Sequence, residues 1–103
     1  MDYCVVLSTT GSREEADKIA RILLENRAAS CVQITPIVSL YHWEGKIERS
    51  EETRLLIKTT DPLYLRVENL IRENHSYEVP QIVKLPITAG LPEYLNWISE
   101  ETK

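Results

Sequence analysis

Two runs of strand-like residues, IVSLYHW at 37–43 and KIERSEETRLLIKTT at 46–60, are separated only by Glu44 and Gly45. A glycine-containing gap of two residues predicts a tight reversal, so this region reads as a long β-hairpin with a charged, protruding tip. Upstream, SCVQI at 30–34 belongs to the same strand system until Pro36. Pro36 cannot donate to a sheet ladder and therefore marks an edge, a bend or a bulge.

The elements on either side of the hairpin determine what it joins. CVVLST at 4–9 is contiguous, apolar and β-branched, which predicts a buried strand. Ser12 and Glu15 have capping-box spacing: the Ser12 hydroxyl accepts from the Glu15 backbone while the Glu15 carboxylate reaches back to the cap. A helix is expected over about 13–27, with Ala16, Ile19, Ala20, Leu23 and Leu24 on one face. Glu14 with Lys18 and Asp17 with Arg21 would pair on its exposed side. Asp61 followed by Pro62 reads as the N-cap and first position of a second helix. Leu63, Val67, Leu70 and Ile71 form that helix's apolar face, with Glu68 and Arg72 as a supporting pair. QIVKLPI at 81–87 alternates as a last strand, and Gly90 and Pro92 punctuate a short closing helix that carries Tyr94, Leu95, Trp97 and Ile98.

The order is β-α-β-β-α-β plus one helix. This is a mixed α/β (α+β) class with the ferredoxin-like split βαβ arrangement, in which two helices cover one face of a four-stranded antiparallel sheet. With no composition break, residues 1–103 are expected to form one domain.

Composition removes several functions. The net charge is −4 and no basic block occurs, so nucleic acid is not an expected partner. The longest apolar runs reach four or five residues, far below the roughly 18 of a membrane span. The start, MDYCVVLSTT, has an acid at position 2 and no basic n-region, and a cytoplasmic location is the expectation. Cys4 and Cys31 both sit in apolar runs and are expected to be reduced thiols. Their spacing excludes a CxxC soft-metal chaperone. An RNA-recognition module needs sheet aromatics in a basic setting, yet this chain is acidic and has no phenylalanine. An acylphosphatase would need a glycine-rich phosphate loop with an arginine after the first strand, whereas STTGSRE has one glycine and one arginine. That loop could hold an anion at the helix start, but Ser12 and Glu15 already occupy its amides.

The residues with usable chemistry are few, and each has a plain alternative. The Cys31 thiol could ligate copper or zinc if a histidine or carboxylate approached from another element or subunit; otherwise it is a packed core thiol. His42 reads as solvent-facing. Glu44, Glu48, Glu51 and Glu52 are interrupted by Lys46 and Arg49 and read as a solvated, aggregation-resistant edge. Tyr41 and Trp43 share one side of their strand, where they are core or line a groove or subunit interface. In HSYEVPQI at 75–82, His75, Tyr77 and Glu78 occupy a loop after a helix, where function concentrates. His75 could instead bond the last helical carbonyls while Tyr77 packs. Val79, preceding Pro80, must be extended and directs the last strand into the sheet. No Ser/His/Asp or Cys/His catalytic grouping is evident around His75, so the chain is not expected to be an enzyme.

RAASCVQI at 27–34, SLYHWEGKIE at 39–48, LLIKTT at 55–60, HSYEVPQIVKLPI at 75–87 and EYLNWI at 93–98 together resemble the CutA divalent-cation-tolerance family. The resemblance implies a ferredoxin-like protomer in a homotrimer similar to the nitrogen-regulatory signalling trimers, a role in copper and divalent-cation tolerance, and copper binding. It matches Cys31 to the family's recurrent cysteine, and His75, Tyr77, Glu78 and Pro80 to its HPYExPE signature. Cys31 and His75, with Glu78 in support, are then the expected metal ligands. Tyr41, Trp43, Tyr77 and Pro80 are expected at a ligand cleft or interface; the alternative function is a signalling or scaffold trimer whose clefts between subunits, lined by Tyr41, Trp43, Tyr77 and Glu78, bind a small molecule or a partner protein. Ser76 and Gln81 stand where the family usually has proline and glutamate, and the neutral amide at 81 weakens a cation site there.

Overall fold

Side-chain alternation decides how the sheet sits. In the computed structural model, which describes residues 2–103, strand β1 (Tyr3–Thr10) buries Cys4, Val6, Ser8 and Thr10 on one face. Strand β3 (Lys46–Thr60) buries Thr53, Leu55, Ile57 and Thr59 on the same face, in antiparallel register with β1. Strand β2 (Cys31–Trp43) pairs with the outer side of β3, and β4 (Ile82–Ile87) with the outer side of β1, giving the order β2-β3-β1-β4. This is the split βαβ sheet predicted from the element order.

Helices α1 (Arg13–Glu25) and α2 (Tyr64–Asn74) cover that face. Ala16, Ile19, Ala20 and Leu23 of α1 and Val67 and Ile71 of α2 join the strand residues in one core. Leu24 lies at the margin of the α1 face and is exposed. Neither expected α1 ion pair forms; Arg13 instead approaches Asp17 at 3.7 Å. Glu68 is not paired with Arg72 but accepts a hydrogen bond from the Tyr64 hydroxyl at 2.9 Å.

One local reading changes and another is narrowed. Asp61 does not cap α2, because Asp61–Leu63 forms a 3-10 turn before the helix begins at Tyr64. Its backbone N–H donates to the Asp2 carbonyl and its carboxylate meets the Lys84 ammonium at 2.9 Å, tying the turn to β4. Of the edge, bend or bulge that Pro36 could mark, the edge is what is found: β2 is an edge strand and runs unbroken through Pro36, since an N–H facing away from β3 is not needed.

The hairpin closes as the glycine implied. Trp43 and Lys46 are register partners, and Glu44 (φ 49°) and Gly45 (φ 77°) both occupy the left-handed region, as a type I′ turn requires. The paired strands project beyond the helical layer and give the molecule a long axis of 45 Å against 26 and 21 Å.

The opposite sheet face is only partly covered. Helix α3 (Pro92–Glu101) lies over one end of it, where Tyr3 Oη and Ser99 Oγ are 2.7 Å apart and the Lys58 ammonium stands 5.4 Å from the Tyr94 ring centre. Beyond α3, Val83 and Leu85 remain 43% and 49% exposed.

Candidate functional site

The segment after α2 is fastened from three sides. His75 ends the helix in an extended conformation, and its imidazole, 0% exposed, turns away from the helix toward β1. Its Nε2 lies 2.6 Å from the Thr9 carbonyl, which can only accept, so Nε2 carries the proton. Its Nδ1 then accepts from the Tyr77 backbone N–H at 3.0 Å. Both ring nitrogens are in use, and the partner of the ring is a strand carbonyl rather than the helix's own last carbonyls.

Glu15 holds the next residue. Instead of closing a capping box, its carboxylate accepts from the Ser76 backbone N–H at 2.9 Å and from the Ser76 hydroxyl at 3.0 Å. The Ser12 half of the box does form, accepting from the Glu15 N–H at 3.2 Å. Glu15 therefore joins the start of α1 to the loop after α2.

Tyr77 is the third fastening. Its hydroxyl donates to Glu52 Oε2 at 2.9 Å, its ring lies 4.8 Å from the His75 ring, and a Cβ on Gly11 would stand 3.2 Å from its oxygen. Burial, and then the hydrogen bond to the charged Glu52 carboxylate, push the Tyr77 phenol up to about 12. It stays protonated at neutral pH, leaving the charge on Glu52.

These fastenings set one wall of a cleft of about 520 Å³ between the loop and the base of the hairpin. Tyr41 and Trp43 of β2 form the facing wall, with Glu52 and Glu78 also reaching its surface. Tyr41, Trp43 and Tyr77, expected at a cleft or interface, thus come together with Glu78. Pro80 does not line the cleft; it is half-buried and leads into β4. Glu52, Val79 and Gln81 line it without having been singled out for that role. Their signal was weak: Glu52 is one of several tip acids, and while alternation sets it on one face with Arg54, only the pairing of β3 with β1 and β2 shows that this is the face of Thr9, Tyr41 and Trp43.

The expected metal ligands do not converge within one chain. Cys31 is opposite Lys58 while Thr9, the His75 partner, is opposite Arg54. That offset alone is about 13 Å along β3, with the two residues on strands flanking it. Cys31 is half-buried, His42 is exposed, and among the described residues no three His, Cys, Asp or Glu side chains are grouped to hold an ion. A metal on His75 would also have to displace one of its two hydrogen bonds. The set Cys31, His75 and Glu78 in a single protomer therefore does not fit a copper ion.

The comparisons match this architecture. The family model described as CutA1 divalent ion tolerance protein aligns with residues 4–101. The divalent-cation tolerance protein CutA of Thermus thermophilus is 43% identical over 99 residues, covering 95% of this chain and 96% of that protein. The crystal structure of CutA1 from Oryza sativa superposes with a TM-score of 0.97 at 35% identity, covering 100% of this chain and 95% of that one. The structure of the periplasmic divalent cation tolerance protein CutA from Archaeoglobus fulgidus gives 0.96 at 40% identity, covering 98% and 99%. With the fold, the hairpin and the loop after α2 all inside the matched span, the chain belongs to the CutA1 divalent ion tolerance family.

Proposed function

We propose that this protein acts in divalent-cation tolerance as a non-enzymatic homotrimer in the cytoplasm, with copper the preferred ion. Family membership over residues 4–101 supports the tolerance role. The observation that carries the assembly is the apolar strip beyond α3. Val83 and Leu85 lie beside Val5, Leu7 and Leu56 on one sheet face, where an isolated antiparallel sheet would present polar side chains to water. Because three ligating groups are not gathered among the described residues of one protomer, a copper site built on the Cys31 thiol takes further ligands from a neighbouring copy. The two free thiols suit a reducing compartment.

Three measurements test this reading. Sedimentation equilibrium should give three times the 11.9 kDa chain, and Leu85→Asp should shift it to monomer. Calorimetric titration with Cu(I), Cu(II) and Zn(II) should show binding by the trimer that is lost in both Cys31→Ala and the monomeric variant. In a strain lacking the endogenous gene, the wild-type chain should restore growth on copper and sediment with the cytoplasmic fraction. A monomeric wild type, or copper binding indifferent to Cys31→Ala, would overturn the respective part.

A second reading is favoured by the cleft itself: an aromatic-walled recess whose Tyr41 and Tyr77 are held by hydrogen bonds suits a small molecule.

A further inference from the structure

We propose that the cleft between the hairpin and the loop after α2 binds a small organic cation: an amine or quaternary ammonium carrying an apolar or aromatic group. The proposal rests on the small-molecule reading of that cleft and adds its charge and shape.

Three aromatic rings, from Tyr41, Trp43 and Tyr77, line one recess. Such faces attract cations through the ring quadrupole, and clusters of them recognise quaternary ammonium groups. Among the described residues, the ionisable ones lining the same recess besides the two tyrosines are Glu52 and Glu78, with no lysine or arginine. Arg54 and Lys46, the register partners of Thr9 and Trp43, share this sheet face without reaching the cleft surface. Both carboxylates have accepting capacity left: Glu52 accepts at Oε2 from Tyr77, and Glu78 makes no hydrogen bond or ion pair with the described residues. An anion entering here would meet two carboxylates beside three aromatic rings, whereas a cation would meet opposite charge at Glu52 and Glu78 and only uncharged polar groups at Thr9 and Gln81.

Two of the three rings are also preorganised. Tyr77 is held by Glu52, by the His75 ring and by close approach to Gly11, so its ring does not have to be ordered when a ligand arrives. Tyr41 is placed by the hydroxyl of Ser50, which donates to its oxygen at 3.2 Å.

The test is titration of the purified protein with benzyltrimethylammonium and, separately, with phenylacetate, a ring compound of opposite charge. Tryptophan fluorescence and ligand-observed NMR provide the readouts. The cation should bind saturably, and phenylacetate at least about tenfold more weakly. Glu78→Gln, at an exposed residue, should lower cation affinity several-fold without altering the fold, and Tyr41→Leu should do the same. Equal affinity for both compounds, or a cation preference unchanged by Glu78→Gln and by Tyr41→Leu, would overturn the cation assignment. Equal binding that is lost in Tyr41→Leu would leave the cleft a small-molecule site of another charge class, while saturable binding of neither compound would end both readings.

Discussion

His75 donates its Nε2–H to the carbonyl oxygen of Thr9 across 2.6 Å, joining the end of α2 to the last turnward residues of β1. The ring is fully buried, and its second nitrogen accepts from the Tyr77 N–H. Removing it leaves two backbone groups short of a partner and a hole where the ring packed. His75→Ala should therefore lower stability by about 3 kcal/mol or more. Glutamine can supply a donor near the Nε2 position and asparagine an acceptor near Nδ1, so each should recover part of that loss. Urea midpoints of the three variants check this, and nitrogen chemical shifts of His75 should report the Nε2–H tautomer at neutral pH.

Ser76 occupies the position where the CutA family usually carries proline, and here both its N–H and its hydroxyl donate to Glu15. Proline could make neither bond. The preceding His75 is already extended (φ −95°, ψ 139°), a conformation that tolerates a following proline. Ser76→Pro should thus cost only the bonds, softened by reduced freedom of the unfolded chain, for a net loss of about 1 kcal/mol. Since Glu15→Gln weakens the same contact, the double variant should be less destabilised than the sum of the singles. Additive losses in a double-mutant cycle would show that the two residues do not act together.

How much of this was legible in the sequence differs from element to element. The strands and both long helices were readable because their apolar spacing records which face is buried, and Gly45 records a positive φ. Asp61 was misread because its sequence context is that of a cap, while the salt bridge to Lys84 that it actually makes spans residues far apart in the chain. Glu15 was misread for a similar reason: the local capping partner was in view, and the Ser76 donors that claim its carboxylate were not. The aromatic wall of the cleft was legible in part, since Tyr41 and Trp43 two residues apart on a strand must share a side. His75 was the least legible, because whether a histidine is free to ligate depends on which carbonyl the fold brings to it.

The Tyr77 phenol gives a pH dependence with a definite sign. Its value is pushed up to about 12, first by burial and then by Glu52, whereas in the unfolded chain it titrates near the ordinary value of 10.0. The stability it contributes is complete below pH 10.0 and is lost as pH rises toward about 12, because over that window the unfolded chain gives up a proton that the folded one retains. Unfolding free energy should fall across this range, and the fall should be shallower in Tyr77→Phe. Phenolate absorbance on the folded protein should show one fewer late-titrating tyrosine in that variant. An absorbance profile identical to wild type would refute the assignment.

Gly45 carries the turn that aims the hairpin, and with it the Trp43 side of the cleft. It sits at φ 77°, and an added Cβ would meet nothing within 4 Å. Substitution there is opposed by backbone conformation alone, without a clash to relieve. Gly45→Ala should cost about 1 kcal/mol, the difference between glycine and other residues in the left-handed region. Glu44 already occupies that region at φ 49°, so the type I′ geometry would have two strained positions in succession. A longer, looser turn is the lower-energy outcome, and amide exchange should then rise at Trp43 and Lys46 while the α1 and α2 core stays protected. Because Trp43 forms part of the cleft wall, ligand affinity measured on the same variant should fall even though no cleft residue has been changed. Unaltered exchange at the tip together with wild-type stability would mean that the turn tolerates a side chain at this position.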